Sequence, residues 1–210
     1  MTTLVLIAKE PLAGRVKTRL HPPLTLEQAA QLAAAAIADT VAAVATLAVS
    51  RRVLLFDGQL IPDAAKHYEL VRQVDGSLDA RLAALFDASV GPTILIGMDT
   101  PQLQATDLAP ALAWPKGIDA WLGPASDGGY WAIGMREPRG GLILGVPMSR
   151  DDTARHQLRR LADAGLQVGM LPTLTDVDTI ADAREVARTA PDTAFARLLT
   201  EFEVGDLEPA

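Results

Sequence analysis

Short apolar runs alternate along this chain with segments of helical periodicity, and this alternation constrains the fold more than any other feature. Seven runs rich in Val, Leu and Ile predict strands, at 3–8, 52–56, 69–73, 93–97, 120–123, 130–134 and 166–171. Helical patterns occur at 25–47, 78–88, 107–113, 151–164, 180–189 and 193–202. Strands that alternate with helices predict βαβ units with right-handed crossovers. In such a sheet ligands bind beyond the carboxyl ends of the strands, so functional residues are expected just after strands.

The composition agrees with an α/β fold, a Rossmann-like three-layer sandwich around a mostly parallel sheet. Hydrophobic residues make up 49% of the chain but aromatic residues only 4%, so the core is built from Ala, Val, Leu and Ile. With no cysteine, the chain has no disulfide, thiolate metal site or cysteine nucleophile. Its 210 residues suit one domain, predicted at 1–203, with 204–210 as a loose C-terminal tail.

The charge of the chain argues against a nucleic-acid partner. A formal net charge of −7 does not fit a broad basic footprint. The most membrane-like stretch, 29–49, is mostly alanine and contains Gln31 and Asp39, so a soluble helix with no membrane span is predicted. No targeting segment is evident at the start of the sequence, and a cytoplasmic location is expected.

A basic loop follows the first predicted strand. Residues 8–20 read Ala-Lys-Glu-Pro-Leu-Ala-Gly-Arg-Val-Lys-Thr-Arg-Leu. Four basic residues cluster there in an otherwise acidic protein, namely Lys9, Arg15, Lys17 and Arg19. The loop stands where α/β sheets bind phosphate, and Gly14 permits close backbone approach, although the segment is not a P-loop. A phosphate site is one interpretation and a solvated basic loop is the other.

An aspartate ends the fourth apolar run. Asp99 follows 93–97 and precedes Pro101, which places its carboxylate at the carboxyl end of a strand. A carboxylate there suits a hard cation such as Mg²⁺ or Mn²⁺, which screens a diphosphate. An Asp-initiated turn explains the same residues without a ligand.

Two further aspartates alternate in the segment 175–179. Asp176 and Asp178 point to the same side of an extended chain, and one of them could complete a metal site with Asp99. Alternatively Asp178 caps the helix that begins near Ile180. The two roles are compatible.

A glycine-rich loop lies between the fifth and sixth predicted strands. Residues 123–134 contain Asp127, the adjacent Gly128 and Gly129, and the aromatic pair Tyr130 and Trp131. The loop is typical of a substrate-binding segment, but Asp-Gly is also a strong hairpin signal. The three histidines, His21, His67 and His156, show no metal spacing, with His67 and His156 expected in helices. Neither a serine-hydrolase elbow nor a dinucleotide fingerprint is present.

Taken in order, four motifs resemble the bacterial DUF2064 family, also described as radical-SAM-associated, arsenosugar-type glycosyltransferases. They are the loop at 8–20, Gly-Met-Asp-Thr-Pro at 97–101, Gly-Pro-Ala-Ser-Asp-Gly-Gly-Tyr at 123–130 and Asp-Val-Asp-Thr at 176–179. The family is similar to the nucleotide-diphospho-sugar transferase (GT-A-like) superfamily, which implies that fold and a nucleotide donor. Two departures stand out: Gly-Met-Asp lacks the full Asp-x-Asp of many glycosyltransferases, and 145–150 reads Gly-Val-Pro-Met-Ser-Arg where relatives often carry Trp-Ser-Thr.

The resemblance implies a role for each group of residues. Donor phosphates would contact a set within the basic loop, made up of Ala8, Lys9, Gly14, Arg15, Lys17, Thr18 and Arg19. The metal, Mg²⁺ or Mn²⁺, would be held by Asp99, Asp178 and Asp176. The acceptor would face Asp127, Gly128, Gly129 and Tyr130, with Asp127 and Lys17 as catalytic residues.

The function implied is transfer of a sugar from a nucleoside-diphosphate sugar to a small acceptor. The alternative is nucleotidyl transfer from a nucleoside triphosphate to a phosphorylated or carboxylated acceptor, in the manner of guanylyltransferases. A nucleotide-binding protein without catalysis is a third possibility.

Overall fold

The computed structural model describes residues 2–205. A seven-stranded sheet has the order β3-β2-β1-β4-β6-β5-β7, in which all strand pairs are parallel except the two that β6 forms with β4 and β5. The strands are β1 (Thr3–Lys9), β2 (Arg51–Asp57), β3 (Glu69–Arg72), β4 (Thr93–Ile96), β5 (Ala120–Pro124), β6 (Tyr130–Met135) and β7 (Val168–Met170). The helices are α1 (Leu26–Val44), α2 (Leu78–Ala88), α3 (Ala105–Ala113), α4 (Thr153–Asp163), α5 (Ile180–Thr189) and α6 (Ala194–Gly205). The predicted α/β class and mostly parallel sheet are confirmed.

The two faces of the sheet are covered by different helices. Alternate residues of β1 point to opposite faces, so Leu4 and Leu6 pack towards α1 and α3, whereas Val5 packs towards α2 and α4. Both faces are apolar, as a sheet buried between two helical layers requires. The result is the three-layer sandwich expected from the sequence.

Helix α1 is buried on both of its sides. Its start is fixed by the predicted capping box, in which the Thr25 hydroxyl accepts the Gln28 N–H and the Gln28 carboxamide accepts the Thr25 N–H. One stripe, including Ile37, faces the sheet, while Leu32 on the other side packs against α5 and α6. This double burial explains the length of its apolar pattern. No helix in the described part of the chain combines the length and apolarity of a membrane span.

Several local expectations differ from the structure. His67 lies in a turn before β3 and not in a helix, because the helical segment there is a short 3₁₀ turn at Asp63–Ala65. The cap of α5 is Thr179 and not Asp178, because the Thr179 hydroxyl accepts the Asp182 N–H. Helix α6 continues to Gly205, so residues 204 and 205 of the predicted tail are helical. The rest of that tail, 206–210, lies outside the described residues.

Candidate active site

A cleft of about 910 Å³ opens at the carboxyl ends of β1 and β4, where the sheet topology predicts a ligand. The cleft is lined by parts of six main segments: the basic loop, the stretch 73–82, the end of β4 at Asp99, the β5–β6 loop, the stretch 148–151 and the segment around Asp176. All four sequence motifs were expected at this edge of the sheet because each follows a predicted strand. The structure brings all four to the same cleft.

Two ion pairs connect the basic loop to the aspartates. Lys17 Nζ lies 2.6 Å from Asp99 Oδ1, and it also donates to the carbonyl oxygen of Val177. The Lys17 side chain is only 8% exposed. Arg19 Nη1 lies 2.7 Å from Asp178 Oδ2, in a pair that is largely exposed to solvent. The basic loop is therefore paired with carboxylates at this rim and is not a freely solvated segment.

The backbone around Lys17 is unusual. Lys17 has φ of 49°, in the left-handed region that non-glycine residues seldom adopt, and it begins a 3₁₀ turn at Thr18–Leu20. Leu20 is fully buried beneath α1 and α5. The turn thus anchors the loop in the core and directs the Lys17 side chain into the cleft.

The segment 171–178 carries two aspartates across the end of the sheet. Its backbone is held at several points, including the hydrogen bond from the Val177 N–H to the Asp99 carbonyl oxygen at 2.9 Å. Val177 is 1% exposed and packs in the core. Because side chains alternate along an extended segment, Asp176 and Asp178 on either side of it face the cleft, as the sequence predicts.

The remaining residues of the basic loop are placed differently from one another. Lys9, Arg15 and Thr18 line the cleft, with Lys9 and Arg15 exposed. Ala8 is buried and contributes its carbonyl oxygen, which accepts the Gln73 side-chain N–H at 3.1 Å. Gly14 has φ of 74°, so the loop bends there in a conformation that favours glycine.

Negative charge exceeds positive charge in the inner part of the cleft. Burial, followed by the nearby carboxylates of Asp99 and Asp127, raises the pKa of Asp176 to about 7, with Lys17 acting in the opposite direction and Asp178 adding to the rise. Four carboxylates thus lie within electrostatic range of one another. A carboxylate crowded in this way is stabilised by any cation that approaches it.

The carboxylates fit a divalent metal in kind and in charge. Carboxylate oxygens are the ligands that Mg²⁺ and Mn²⁺ prefer, and the buried Asp99 Oδ1 already has a cation, the Lys17 ammonium, 2.6 Å away. In residues 2–205, however, no three Asp, Glu, His or Cys side chains are already arranged around one point. Within the predicted set, Asp99 pairs with Lys17 and Asp178 pairs with Arg19, whereas Asp176 forms no ion pair among the described residues.

Asp176→Asn is expected to stabilise the metal-free protein at neutral and higher pH. An aspartate with a raised pKa stays protonated in the folded state while the unfolded chain ionises, so wild-type stability falls as the pH rises from about 4 to about 7. Asn carries no such dependence. We expect the variant to exceed wild type by roughly 2–4 kcal/mol in the free energy of unfolding at about pH 8, and by less than about 1 kcal/mol near pH 4.5.

Urea denaturation at the two pH values, with a chelator present, measures this difference. Asp163→Asn, an exposed substitution near the end of α4, is the matched control and should show no pH-dependent gain. A constant difference between Asp176→Asn and wild type across this range would contradict the electrostatic origin.

The β5–β6 loop is both a hairpin and a wall of the cleft. Asp127 Oδ1 accepts the Gly129 N–H at 2.8 Å, which fixes the carboxylate at the cleft surface. Gly128 has φ of 91°, and a Cβ on it would lie 1.9 Å from the carbonyl oxygen of Asp151. The loop therefore packs directly on the backbone that precedes α4. Burial raises the pKa of Tyr130, so its hydroxyl keeps its proton and cannot serve as a base near neutral pH.

The sequence did not single out several residues that line the cleft. Gln73 follows β3 directly and donates its carboxamide to the carbonyl oxygens of Ala8 and Leu55, while Arg81 donates to the Gln73 oxygen. The predicted strand at 69–73 included Gln73, whereas β3 ends at Arg72, so the rule that functional residues follow strands missed this residue. Met148 and Ser149 form the opposite wall in a non-repetitive segment, and no sequence pattern indicates their position.

Comparison with known proteins agrees with this architecture. Residues 28–150 match a family described as an uncharacterized protein conserved in bacteria, DUF2064. The chain belongs to the DUF2064 family. The resemblance stated from the motifs is thereby confirmed. No functionally curated protein matches the chain by sequence.

Solved structures extend the comparison beyond this family. One is the crystal structure of a protein from Desulfovibrio desulfuricans G20 that has been assigned, by inference, to the nucleotide-diphospho-sugar transferases. Its sequence is 25% identical to this chain, and the two structures align with a TM-score of 0.85 over 97% of this chain and 95% of that one. A nucleotidyl transferase from Methanothermobacter thermautotroptrophicus is 16% identical with a TM-score of 0.58, over 96% and 99% of the two chains. Glucosyl-3-phosphoglycerate synthase from Mycobacterium tuberculosis, solved with Mn²⁺, UDP and glucosyl-3-phosphoglycerate, is 13% identical with a TM-score of 0.53, over 96% and 80%. The fold of this DUF2064 protein is therefore the nucleotide-diphospho-sugar transferase (GT-A-like) fold.

Proposed function

We propose that this DUF2064 protein is a divalent-metal-dependent glycosyltransferase that moves a sugar from a nucleoside-diphosphate sugar to a small acceptor. The observation that carries the proposal is the pairing of the basic loop with the strand-end aspartates, Lys17 with Asp99 and Arg19 with Asp178, in one open cleft. A diphosphate and a metal together require this combination of charges. The similarity to the Desulfovibrio desulfuricans protein supports the same class of donor.

The basic loop has the side chains to stabilise a departing diphosphate. Lys9 and Arg15 are exposed at the cleft, so their charges are available to phosphate oxygens without breaking an ion pair that the described residues form. A bound metal, held by Asp99 with Asp176 or Asp178, would supply Lewis-acid neutralisation of the same diphosphate. The carboxylates suit Mg²⁺ or Mn²⁺, and Mn²⁺ is bound in the glucosyl-3-phosphoglycerate synthase structure.

Asp127 is the residue that would activate the acceptor. The Gly129 N–H holds one carboxylate oxygen, and this leaves Oδ2 to accept the proton of an acceptor hydroxyl group as that group attacks the sugar. Tyr130 remains protonated and can only donate to, or pack against, the acceptor. In this scheme the bond from the sugar to the diphosphate breaks, the bond to the acceptor oxygen forms, and Asp127 receives the proton.

Nucleotidyl transfer is the second candidate. The fold is shared with a nucleotidyl transferase and with a synthetase solved with CTP, and the same basic loop has enough cations for a triphosphate. The acceptor would then attack the α-phosphorus, with pyrophosphate as the leaving group. The association with radical-SAM enzymes that the family resemblance implies stays a prediction.

The leaving group separates the two reactions. Purified protein is incubated with nucleotide sugars or nucleoside triphosphates, Mg²⁺ or Mn²⁺, and mixtures of small hydroxylated and phosphorylated acceptors. Phosphorus NMR then follows the products. Release of nucleoside diphosphate that requires Asp99 and Asp127 supports glycosyl transfer. Release of pyrophosphate would instead show nucleotidyl transfer, the second candidate. Nucleotide-dependent thermal stabilisation without either product would favour a binding protein.

A further inference from the structure

The Lys17 ammonium is itself placed like a bound cation. It is 8% exposed, lies 2.6 Å from Asp99 Oδ1 and also contacts the Val177 carbonyl oxygen, within the group of carboxylates described above. Its oxygen partners, a carboxylate and a backbone carbonyl, are of the type that divalent metals prefer. A buried ammonium in such surroundings is held by its partners far more firmly than a surface lysine.

We propose that Lys17 is an internal cation that takes the place of a metal on Asp99 when no metal is bound and competes with a divalent ion for that carboxylate. This inference rests on the metal of the proposed function. It adds that metal binding requires Lys17 to leave Asp99, which frees its ammonium for the phosphates of the donor. A metal is therefore bound weakly in the absence of the donor.

Three observations favour competition over a merely structural ion pair. First, Asp99 Oδ1 is buried and the Lys17 ammonium lies 2.6 Å from it, so a metal bound to this oxygen would need the space that the ammonium occupies. Second, Lys17 approaches from a left-handed backbone position, a conformation that few lysines adopt without a compensating contact. Third, Asp176 lies within electrostatic range of Asp99 and forms no ion pair among the described residues, so a second carboxylate is available to a metal when the ammonium moves.

Lys17→Asn tests the proposal because asparagine accepts the left-handed conformation yet is too short to take the place of the ammonium. The chelator-treated variant and wild type are titrated with Mn²⁺ alone, and free Mn²⁺ is measured by electron paramagnetic resonance. We expect the variant to bind Mn²⁺ at least about fivefold more tightly than wild type. Lys17→Arg, which keeps a cation, should bind Mn²⁺ as weakly as wild type.

Lys9→Gln is the matched control, because Lys9 is a lysine of the same loop that lines the cleft but has no carboxylate partner among the described residues. Removing its charge measures the general electrostatic effect, expected to be within about twofold. Equal effects of Lys17→Asn and Lys9→Gln would overturn the proposal, as would unchanged or weaker Mn²⁺ binding in Lys17→Asn.

Thermal unfolding gives a second readout that does not depend on activity. Without metal, Lys17→Asn should melt below wild type because the carboxylates lose a neighbouring cation, and Mn²⁺ should raise its melting temperature by more than it raises that of wild type. If wild type binds Mn²⁺ through Asp99 and Lys17→Asn gives the same rise, the metal site of the proposed function stands and the competition fails. Product formation in the assay above is scored independently.

Discussion

Asp99→Asn is expected to reduce kcat of the transferase by about 10²–10³-fold while leaving the protein folded. Asparagine keeps the shape of the side chain but removes the charge that a metal and a departing diphosphate require. Losing a residue that only hydrogen-bonds to a metal ligand weakens metal binding by roughly 10–100-fold. Asp99 would bind the metal directly, so the loss in Asp99→Asn should be larger. Turnover of the donor and Mn²⁺ titration measure the two effects.

Folding should survive because two electrostatic effects of the substitution oppose each other. The variant loses the 2.6 Å ion pair with Lys17, but it also removes a carboxylate that raises the pKa of Asp176. We therefore expect a melting temperature close to that of wild type. Asp63→Asn, on an exposed turn and paired only with Lys66 among the described residues, is the control and should leave turnover unchanged. Full activity in Asp99→Asn would remove this residue from the mechanism.

The sequence was sufficient to predict the sheet and the segments that meet at its end. Strands such as β4 are short apolar runs with clear boundaries, and strand-end placement follows from topology without knowledge of side-chain contacts. That rule alone located Asp99, and the alternation around Val177 located Asp176 and Asp178. At these three positions the local sequence pattern and the fold agree, so the pattern alone was enough to place the aspartates at the cleft.

Contacts between distant segments were beyond the sequence. The basic loop was expected to offer its lysines to phosphate, but nothing in the motif indicates that Lys17 turns to Asp99 and becomes buried. Likewise, the wall at Ser149 depends on a left-handed residue with φ of 57° and on packing against the β5–β6 loop. Such features depend on tertiary geometry, and a single sequence carries no signal for them.

Gly128, in the Asp-Gly turn, has two structural roles, and the sequence signal indicates only one of them. Asp-Gly at 127–128 predicts a hairpin, and β5 and β6 do pair antiparallel across it. The same glycine also allows the hairpin to touch the start of α4, where the Gly128 carbonyl oxygen accepts the Ala154 N–H at 2.9 Å. The hairpin loop is therefore also a wall of the cleft, and a substitution at Gly128 affects both.

Gly128→Ala is expected to destabilise the protein by roughly 3–5 kcal/mol and to abolish turnover in the fraction that remains folded. The left-handed conformation alone costs an alanine about 1–2 kcal/mol. In addition, its Cβ would lie 1.9 Å from the Asp151 carbonyl oxygen, a backbone atom that can move only if the start of α4 moves with it. That movement displaces Asp127 from the cleft, so stability and catalysis should fall together.

Gly117→Ala separates the two contributions because it shares the conformation without the contact. Gly117 has φ of 87°, and an added Cβ would meet nothing within 4 Å. Its cost should therefore be limited to the backbone strain of about 1–2 kcal/mol, with normal turnover. Urea denaturation of both variants gives the difference, which measures the packing of the β5–β6 loop on residue 151. If both variants lose the same free energy of unfolding, the β5–β6 loop moves to accommodate the added methyl group. The inference that this loop forms a rigid wall beside Asp127 would then be wrong.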